Sequence, residues 1–329
     1  MIILGIESSC DETSIALLEN ENIISNTIYS QLDHSRFGGV VPELASRAHL
    51  EKIDRLTQAC FQETGISPRD INLIAVTDGP GLAGALLVGI SFALGLQTVC
   101  NCAATGVNHL EGHICSALLE GTGVQSPFLA LVVSGGHTAL YRVDSLDRFT
   151  CLGETVDDAA GEAFDKVGKM IGFPYPAGRL IEEEAARFSG PVTDLPSFTI
   201  ARCSQGDLHF SFSGLKTAVK YYLNGKSSDE LITSRPALCN AFQKTVAATL
   251  AGKAKRAAEI TGITTIVLVG GVACNSYLRE TLSREFPGTV ITPGKSLCTD
   301  NAAMIALAGY LRHTRGKLRT PSMSPSRGL

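Results

Sequence analysis

Ile3-Leu-Gly-Ile-Glu-Ser-Ser9 runs into Thr13-Ser-Ile-Ala-Leu17, and Leu129-Ala-Leu-Val-Val-Ser-Gly-Gly136 into Thr138-Ala-Leu140, as two copies of one pattern. Each is an apolar strand, a turn of small residues and a second strand, and each continues into a third strand-like segment. A supersecondary unit that recurs at such a distance implies two similar lobes, with the small-residue turns facing a cleft between them.

The apolar runs Ile2 to Ile6, Ile71 to Val76, Phe128 to Val133 and Thr265 to Val269 are each followed by glycines and then by helical periodicity. That alternation is α/β grammar, with ligand-binding turns at strand ends. Helices are expected over Pro42 to Glu63, Val107 to Glu120, Pro236 to Thr261, Ser276 to Phe286 and Asn301 to Arg315. The greasy stretch Gly81 to Val99 is broken by Gly84, Gly89, Ser91, Gly95 and Gln97 and reads as a core helix, with no membrane association expected. The 329 residues divide into a first lobe over 1–127, a second over 128–315 with a late helix returning to the cleft, and a flexible tail over 316–329.

A hydrophobic share of 44% with 18% charged residues excludes a disordered chain, and a net charge of −4 excludes a generally basic nucleic-acid coat. A polyanion would need a local patch, and Lys253, Lys255 and Arg256, with Arg312, Arg315, Lys317 and Arg319 near the end, are the candidates. The ten cysteines form no C-x-x-C pair, which suits reduced thiols in the cytoplasm rather than a disulfide framework or a thiolate zinc site. The N-terminus has no basic stretch before its apolar run and reads as a buried strand, not a secretory signal.

Three places carry chemistry. Ser134-Gly-Gly136 can bring backbone N–H groups against a phosphate because glycine has no Cβ, although an ordinary hairpin turn has the same composition. Ile266-Val-Leu-Val-Gly-Gly-Val-Ala-Cys-Asn275 is a strand, a glycine turn and a helix start, where Asn275 caps the helix or bonds a ligand, the helix N-terminus favours an anion and the glycines admit a flat adenine. His109-Leu-Glu-Gly-His113 sets two imidazoles about 40° apart on one helix face, a spacing that suits one metal ion. Asp300 is a plausible third ligand, with helix capping as its alternative role, and two histidines plus a carboxylate suit iron or zinc. Glu111 points away from the pair, unlike the glutamate of an H-E-x-x-H protease, so metal-dependent proteolysis is not expected.

Taken in order, Ser8-Ser-Cys-Asp-Glu-Thr-Ser14, Gly38-Gly-Val-Val-Pro-Glu-Leu-Ala-Ser-Arg-Ala-His-Leu-Glu51, Asp78-Gly-Pro-Gly-Leu82, Asn108-His-Leu-Glu-Gly-His113, Val132-Val-Ser-Gly-Gly-His-Thr138, Gly161-Glu-Ala-Phe-Asp-Lys166, Phe210-Ser-Phe-Ser-Gly-Leu-Lys216, Gly270-Gly-Val-Ala-Cys-Asn275 and Thr299-Asp-Asn-Ala302 resemble the bacterial tRNA N6-adenosine threonylcarbamoyltransferases, the TsaD/Gcp/YgjD family. The resemblance covers about residues 1–315. It implies an actin-like ATPase (ASKHA) fold, two ribonuclease-H-like lobes around a nucleotide cleft. It also implies transfer of threonylcarbamoyl from L-threonylcarbamoyladenylate to N6 of the adenosine 3′ of the anticodon, in tRNAs reading codons that begin with adenine, with release of AMP.

Carried over residue by residue, the resemblance implies His109, His113 and Asp300 as ligands of one divalent metal, iron in preference to zinc. Val132, Val133, Ser134, Gly135, Gly136, Asp165, Gly178 and Asn275 would contact the adenylate, with ATP or AMP as further nucleotides, and Glu12 would lie near the threonylcarbamoyl end. Ala177, Arg179 and Glu182 stand where the family usually has glycine, proline and a ribose-binding aspartate. A smaller paralogue of the same fold (TsaB) and an ATPase (TsaE) are implied as partners beside tRNA.

The adenine N6 is a weak nucleophile, so the reaction needs an activated acyl donor and a proton acceptor. Asp11 and Glu12, in the turn after the first strand, are both candidates and are anionic if solvated, although Asp11 could simply bond the turn backbone. The rival readings are an ATP-dependent phosphotransferase of the same fold and a catalytically silent scaffold; the imidazole pair argues against both.

Overall fold

The computed structural model describes residues 1–31, 34, 37–191, 193, 195–199, 208–324 and 329; Cys203 lies outside them. Two units divide the chain: Met1–Gly123 together with Pro293–Leu329, and Val124–Thr292.

In the first unit β1 (Ile2–Glu7), β2 (Glu12–Glu19), β3 (Asn22–Ser30), β4 (Leu73–Gly79) and β5 (Ala103–Asn108) form one sheet in the order β3-β2-β1-β4-β5. The first three strands run antiparallel, and β4 and β5 join parallel to β1. Alternation sorts the side chains: Leu4, Ile6, Ile15 and Leu17 pack toward α1 (Pro42–Thr64) and α2 (Ala83–Cys100), while Ile3, Ala16 and Leu18 pack toward α10 (Ala302–Thr314). Between β5 and the chain's exit to the second unit lies the short helix α3 (His109–Ser116), and one further turn, α9 (Lys295–Cys298), precedes α10.

The second unit repeats the topology with β6 (Phe128–Val133), β7 (Thr138–Ser145), β8 (Arg148–Glu154), β9 (Thr265–Val269) and β10 (Thr289–Ile291), in the order β10-β9-β6-β7-β8. Its helices are α4 (Ala160–Met170), α5 (Gly178–Ala185), α6 (Ser213–Leu223), α7 (Ser228–Thr261) and α8 (Ser276–Glu285). The internal duplication read in the sequence is thus the pair of antiparallel meanders β1-β2-β3 and β6-β7-β8.

Four expectations need correction. The late residues belong to the first unit, so the division falls after 123 and 292 rather than at 127 and 315. The reason is α10, whose residues from Ala302 to Gly309 are all buried and whose backbone lies directly on β1: a Cβ at Gly5 would collide with the Ala302 carbonyl and stand 2.9 Å from Ala306 Cβ. Residues 317–324, expected as a flexible tail, are tied down, because Arg319 grips the buried Asp78 carboxylate with both Nη atoms at 2.5 and 2.6 Å, and Ser324 N–H donates to the Asp78 carbonyl. The helix expected from Val107 starts at His109, since Val107 and Asn108 end β5 and the Asn108 side chain caps the helix through Leu110 N–H. The helix expected from Pro236 starts a full two turns earlier, where Ser227 and Glu230 form a capping box, and runs through Pro236.

Helix α2, expected as a core helix, buries one face only. Ala85, Leu86, Gly89, Ile90 and Ala93 are covered, while Leu87 and Leu94 are 55% and 40% exposed. Among the described residues it is the one helix long and apolar enough to cross a membrane by length and composition, and here that apolar content serves packing on β4 and α1.

Gly5→Ala is expected to force β1 and α10 apart and to destabilise the protein by about 1–3 kcal/mol, the range for overpacking a filled core; urea unfolding of parent and variant measures it.

Candidate active site

Three side chains converge at one end of the first unit's sheet. His109 and His113 share a face of α3, with ring centroids 4.6 Å apart, and Asp300 comes from the turn before α10. Asp300 Oδ1 lies 3.6 Å from His109 Nε2 and 3.1 Å from His113 Nε2. One ligand atom from each of the three residues can be chosen so that all lie within 4.8 Å of one another. Capping of α10 falls to Asn301, whose Oδ1 accepts from Met304 N–H, so the alternative role considered for Asp300 is taken by its neighbour.

The donor set fits a divalent cation. His113 is fully buried, and neither of its ring nitrogens has a hydrogen-bond partner among the described residues, despite the nearness of Asp300. An imidazole that approaches a carboxylate without hydrogen-bond geometry has its lone pair available for a shared ion. His109 is oriented in the manner usual for metal-binding histidines: Nδ1 lies 3.1 Å from Glu7 Oε2 and 3.2 Å from Ser9 Oγ, which turns Nε2 toward Asp300. Burial disfavours charge on His109, but Asp300 and Glu7 outweigh it and raise the imidazole to about 9.

The turn between β1 and β2, with the first residue of β2, supplies Cys10, Asp11 and Glu12 to the same neighbourhood. His49, from α1, holds this turn: Nε2 is 2.9 Å from the Cys10 carbonyl and Nδ1 2.8 Å from Thr13 Oγ1. Burial, then the charges of Asp300 and Asp11, push the Glu12 carboxyl well above the usual carboxylate range. The condition under which both acids would be anionic, full solvation, does not hold for Glu12, which is half-buried and favours the protonated form.

In the second unit, Val132 and Val133 lie inside β6 with fully buried side chains, paired to Ala139 and Thr138 of β7. What they contribute is the strand that delivers the turn. Ser134 N–H donates to the His137 carbonyl at 2.7 Å, leaving the exposed Gly135 and Gly136 as the turn's outermost backbone. Asp165, on α4, accepts from Ala177 N–H at 2.7 Å and so fixes the loop leading to Gly178, the first residue of α5. Asn275 caps α8 through Leu278 N–H and donates from Nδ2 to Gln243 Oε1 at 3.0 Å. Glu182 Oε1 accepts from Ser276 N–H at 2.8 Å. The expectation of an anion site at the start of α8 is corrected accordingly: the protein's own Glu182 carboxylate sits on that helix N-terminus.

With the geometry established, comparison with known proteins is decisive. Residues 22–307 match the family described as TsaD, tRNA N6-adenosine threonylcarbamoyltransferase. The chain belongs to that family. A TsaD relative from Thermodesulfovibrio yellowstonii is 46% identical over 327 residues, covering 97% of this chain and 96% of the relative. Another, from Geotalea uraniireducens, is 47% identical over 321 residues, covering 94% and 90%. Among solved structures, a ROK hexokinase from Thermus thermophilus superposes with a TM-score of 0.54 at 14% identity, covering 96% of this chain and all (100%) of that one. That likeness shows the fold alone, the actin-like ATPase fold. TsaD membership makes the chain a transferase acting in tRNA modification and leaves the phosphotransferase and scaffold readings unfavoured.

Two residues that hold the candidate site in shape escaped the sequence reading. Glu7 was visible only as the acid ending an apolar strand, and His49 only as part of a motif; a buried polar residue at a central strand end was the available signal. Of the basic residues read as possible polyanion contacts, Arg312 and Arg319 are engaged with the buried Glu111 and Asp78, and Arg256 with Glu259.

Because the folded protein keeps Glu12 protonated at a pH where the unfolded chain releases the proton, Glu12 lowers stability as pH rises above its ordinary value of 4.5. In chelator-treated protein, Glu12→Gln is expected to raise the melting temperature near neutral pH, with the gain vanishing below about pH 4.5. Thermal scans across that range read it.

Proposed function

We propose that the chain passes the threonylcarbamoyl group of L-threonylcarbamoyladenylate to N6 of the adenosine 3′ of the anticodon, in tRNAs whose codons begin with adenine. Family membership supports the transfer, and the convergence of His109, His113 and Asp300 supports a metal-dependent form of it. In the bond change, N6 attacks the carbamoyl carbon, the carbon–oxygen bond to phosphate breaks, AMP leaves, and N6 gives up one proton.

The chain's own groups divide the work. Asp11 is the proton acceptor, because the neighbouring Glu12 carboxyl is held in its neutral form and serves better as a hydrogen-bond donor to the threonylcarbamoyl end. His49 fixes the turn that carries both. The amides of Gly135 and Gly136 hold the phosphate of the departing AMP, which gains negative charge as the bond breaks. Asp165 and Asn275 set the loops that receive the nucleoside, and Glu182, with one oxygen given to Ser276, offers the other to a ribose hydroxyl. The chemistry that a divalent ion on His109, His113 and Asp300 would supply when bound is Lewis acidity toward acyl-phosphate oxygens, and the two-histidine, one-carboxylate set suits iron as well as zinc.

A cytoplasmic tRNA enzyme with net charge −4 needs help holding its substrate, and we place tRNA binding in a complex with the paralogue TsaB and the ATPase TsaE. The exposed stripe Gly84, Leu87, Ser91, Leu94 and Thr98 along α2 supports a helix-to-helix contact with the paralogue, since apolar and small residues at this spacing allow close approach.

Single-turnover transfer from supplied adenylate to unmodified tRNA tests the reaction. Asp11→Asn is expected to slow it by about 100-fold or more while binding adenylate normally; a parental rate would remove Asp11 as the base. Leu87→Asp with Leu94→Asp is expected to abolish co-elution with the paralogue on gel filtration and to leave bound metal unchanged.

A further inference from the structure

Glu111 lies between the two ligand histidines in sequence and takes no part in the chemistry above, yet it is a carboxylate with 2% of its surface exposed. On a helix it stands about 180° from the mean direction of His109 and His113. Arg312, in the last turn of α10, meets it there with a two-pronged contact: Nη2 to Oε2 at 2.5 Å and Nε to Oε1 at 3.0 Å. Between these two faces Gly112 rests on α10, close enough that a Cβ would stand 2.6 Å from Ile305 Cδ1.

The arrangement is a lever. Helix α3 has eight residues and crosses α10 at Gly112, with its imidazoles directed toward the N-terminal end of α10, where Asp300 lies, and its carboxylate toward the C-terminal end. Gly112 fixes the distance between the helices but not the roll of α3 about its own axis. A planar guanidinium held at two points fixes that roll, because rotating α3 breaks at least one of the two bonds.

We propose that the Glu111–Arg312 pair is a positioning device for the metal centre, setting the rotation of α3 at which His109 Nε2 and His113 Nε2 both face Asp300. The proposal rests on the metal reading of those three residues. It assigns Glu111 and Arg312 no contact with substrate or ion. It also explains why a charged pair stands in this interface, where an apolar pair of similar volume would pack with less desolvation cost.

The test titrates chelator-treated protein with Co2+ and follows the visible absorption of the bound ion, which reports ligand geometry as well as occupancy. In the double variant Glu111→Leu with Arg312→Met, which leaves no unpaired charge, Co2+ is expected to bind about tenfold more weakly and with an altered absorption band. In Arg312→Lys, which keeps the charge and loses the fork, a smaller weakening of about threefold is expected. Parental affinity and spectrum in the folded double variant would overturn the proposal, and if that variant does not fold, parental behaviour of Arg312→Lys would do so. Failure of the unmutated protein to bind Co2+ would overturn the metal reading itself, and this proposal with it.

Discussion

A carboxylate with no exposed surface, Glu7, ends the central strand of the first unit, and taking such a charge out of water costs several kcal/mol unless it is fully hydrogen-bonded. The bonds it receives come from three separate places: Ser9 N–H in the following turn at 2.6 Å, Thr77 Oγ1 on the neighbouring parallel strand, and His109 Nδ1 at the start of α3. With His109 beside it, the Glu7 carboxyl stays below the usual carboxylate range even though burial acts the other way. One side chain thereby joins the acidic turn, the sheet and the His109 imidazole. Its protonation state is fixed by the same contacts that position the site.

The two units apply one topology to different ends. In the first, the turn after the leading strand carries Cys10, Asp11 and Glu12 and is pinned by His49, so that carboxyl groups are gathered beside Asp300. In the second, the corresponding turn is Ser134-Gly-Gly136, with no acid in it and exposed glycine backbone at its tip. A duplicated meander therefore gathers carboxyl groups in one copy and leaves exposed glycine amides in the other.

Much of this was legible in the sequence because it is written locally. Strand, small-residue turn and strand recur within short windows, and the four-residue spacing of His109 and His113 needs only helical geometry to place them on one face. Asp300 was open between ligand and cap, and the choice depended on Asn301 taking the cap. Pairings at long range were not legible. Nothing near Ser276 indicates that Glu182, 94 residues away, occupies its helix N-terminus. Likewise, the apolar pattern of α10 shows that it is buried without showing which sheet covers it, and the arginines beyond it read as surface charge although Glu111 and Asp78 await them in the interior.

The return of residues from Pro293 onward to the first unit has a consequence for how the molecule is made. Synthesis proceeds from the N-terminus, so the inserted middle unit is complete while its host still lacks a covering helix and Asp300. The nascent sheet must wait with Ile3, Leu18 and Ala75 uncovered until the last stretch leaves the ribosome. A prematurely terminated product can therefore carry the whole insert while one face of its host sheet stays bare and His109 and His113 lack Asp300 beside them.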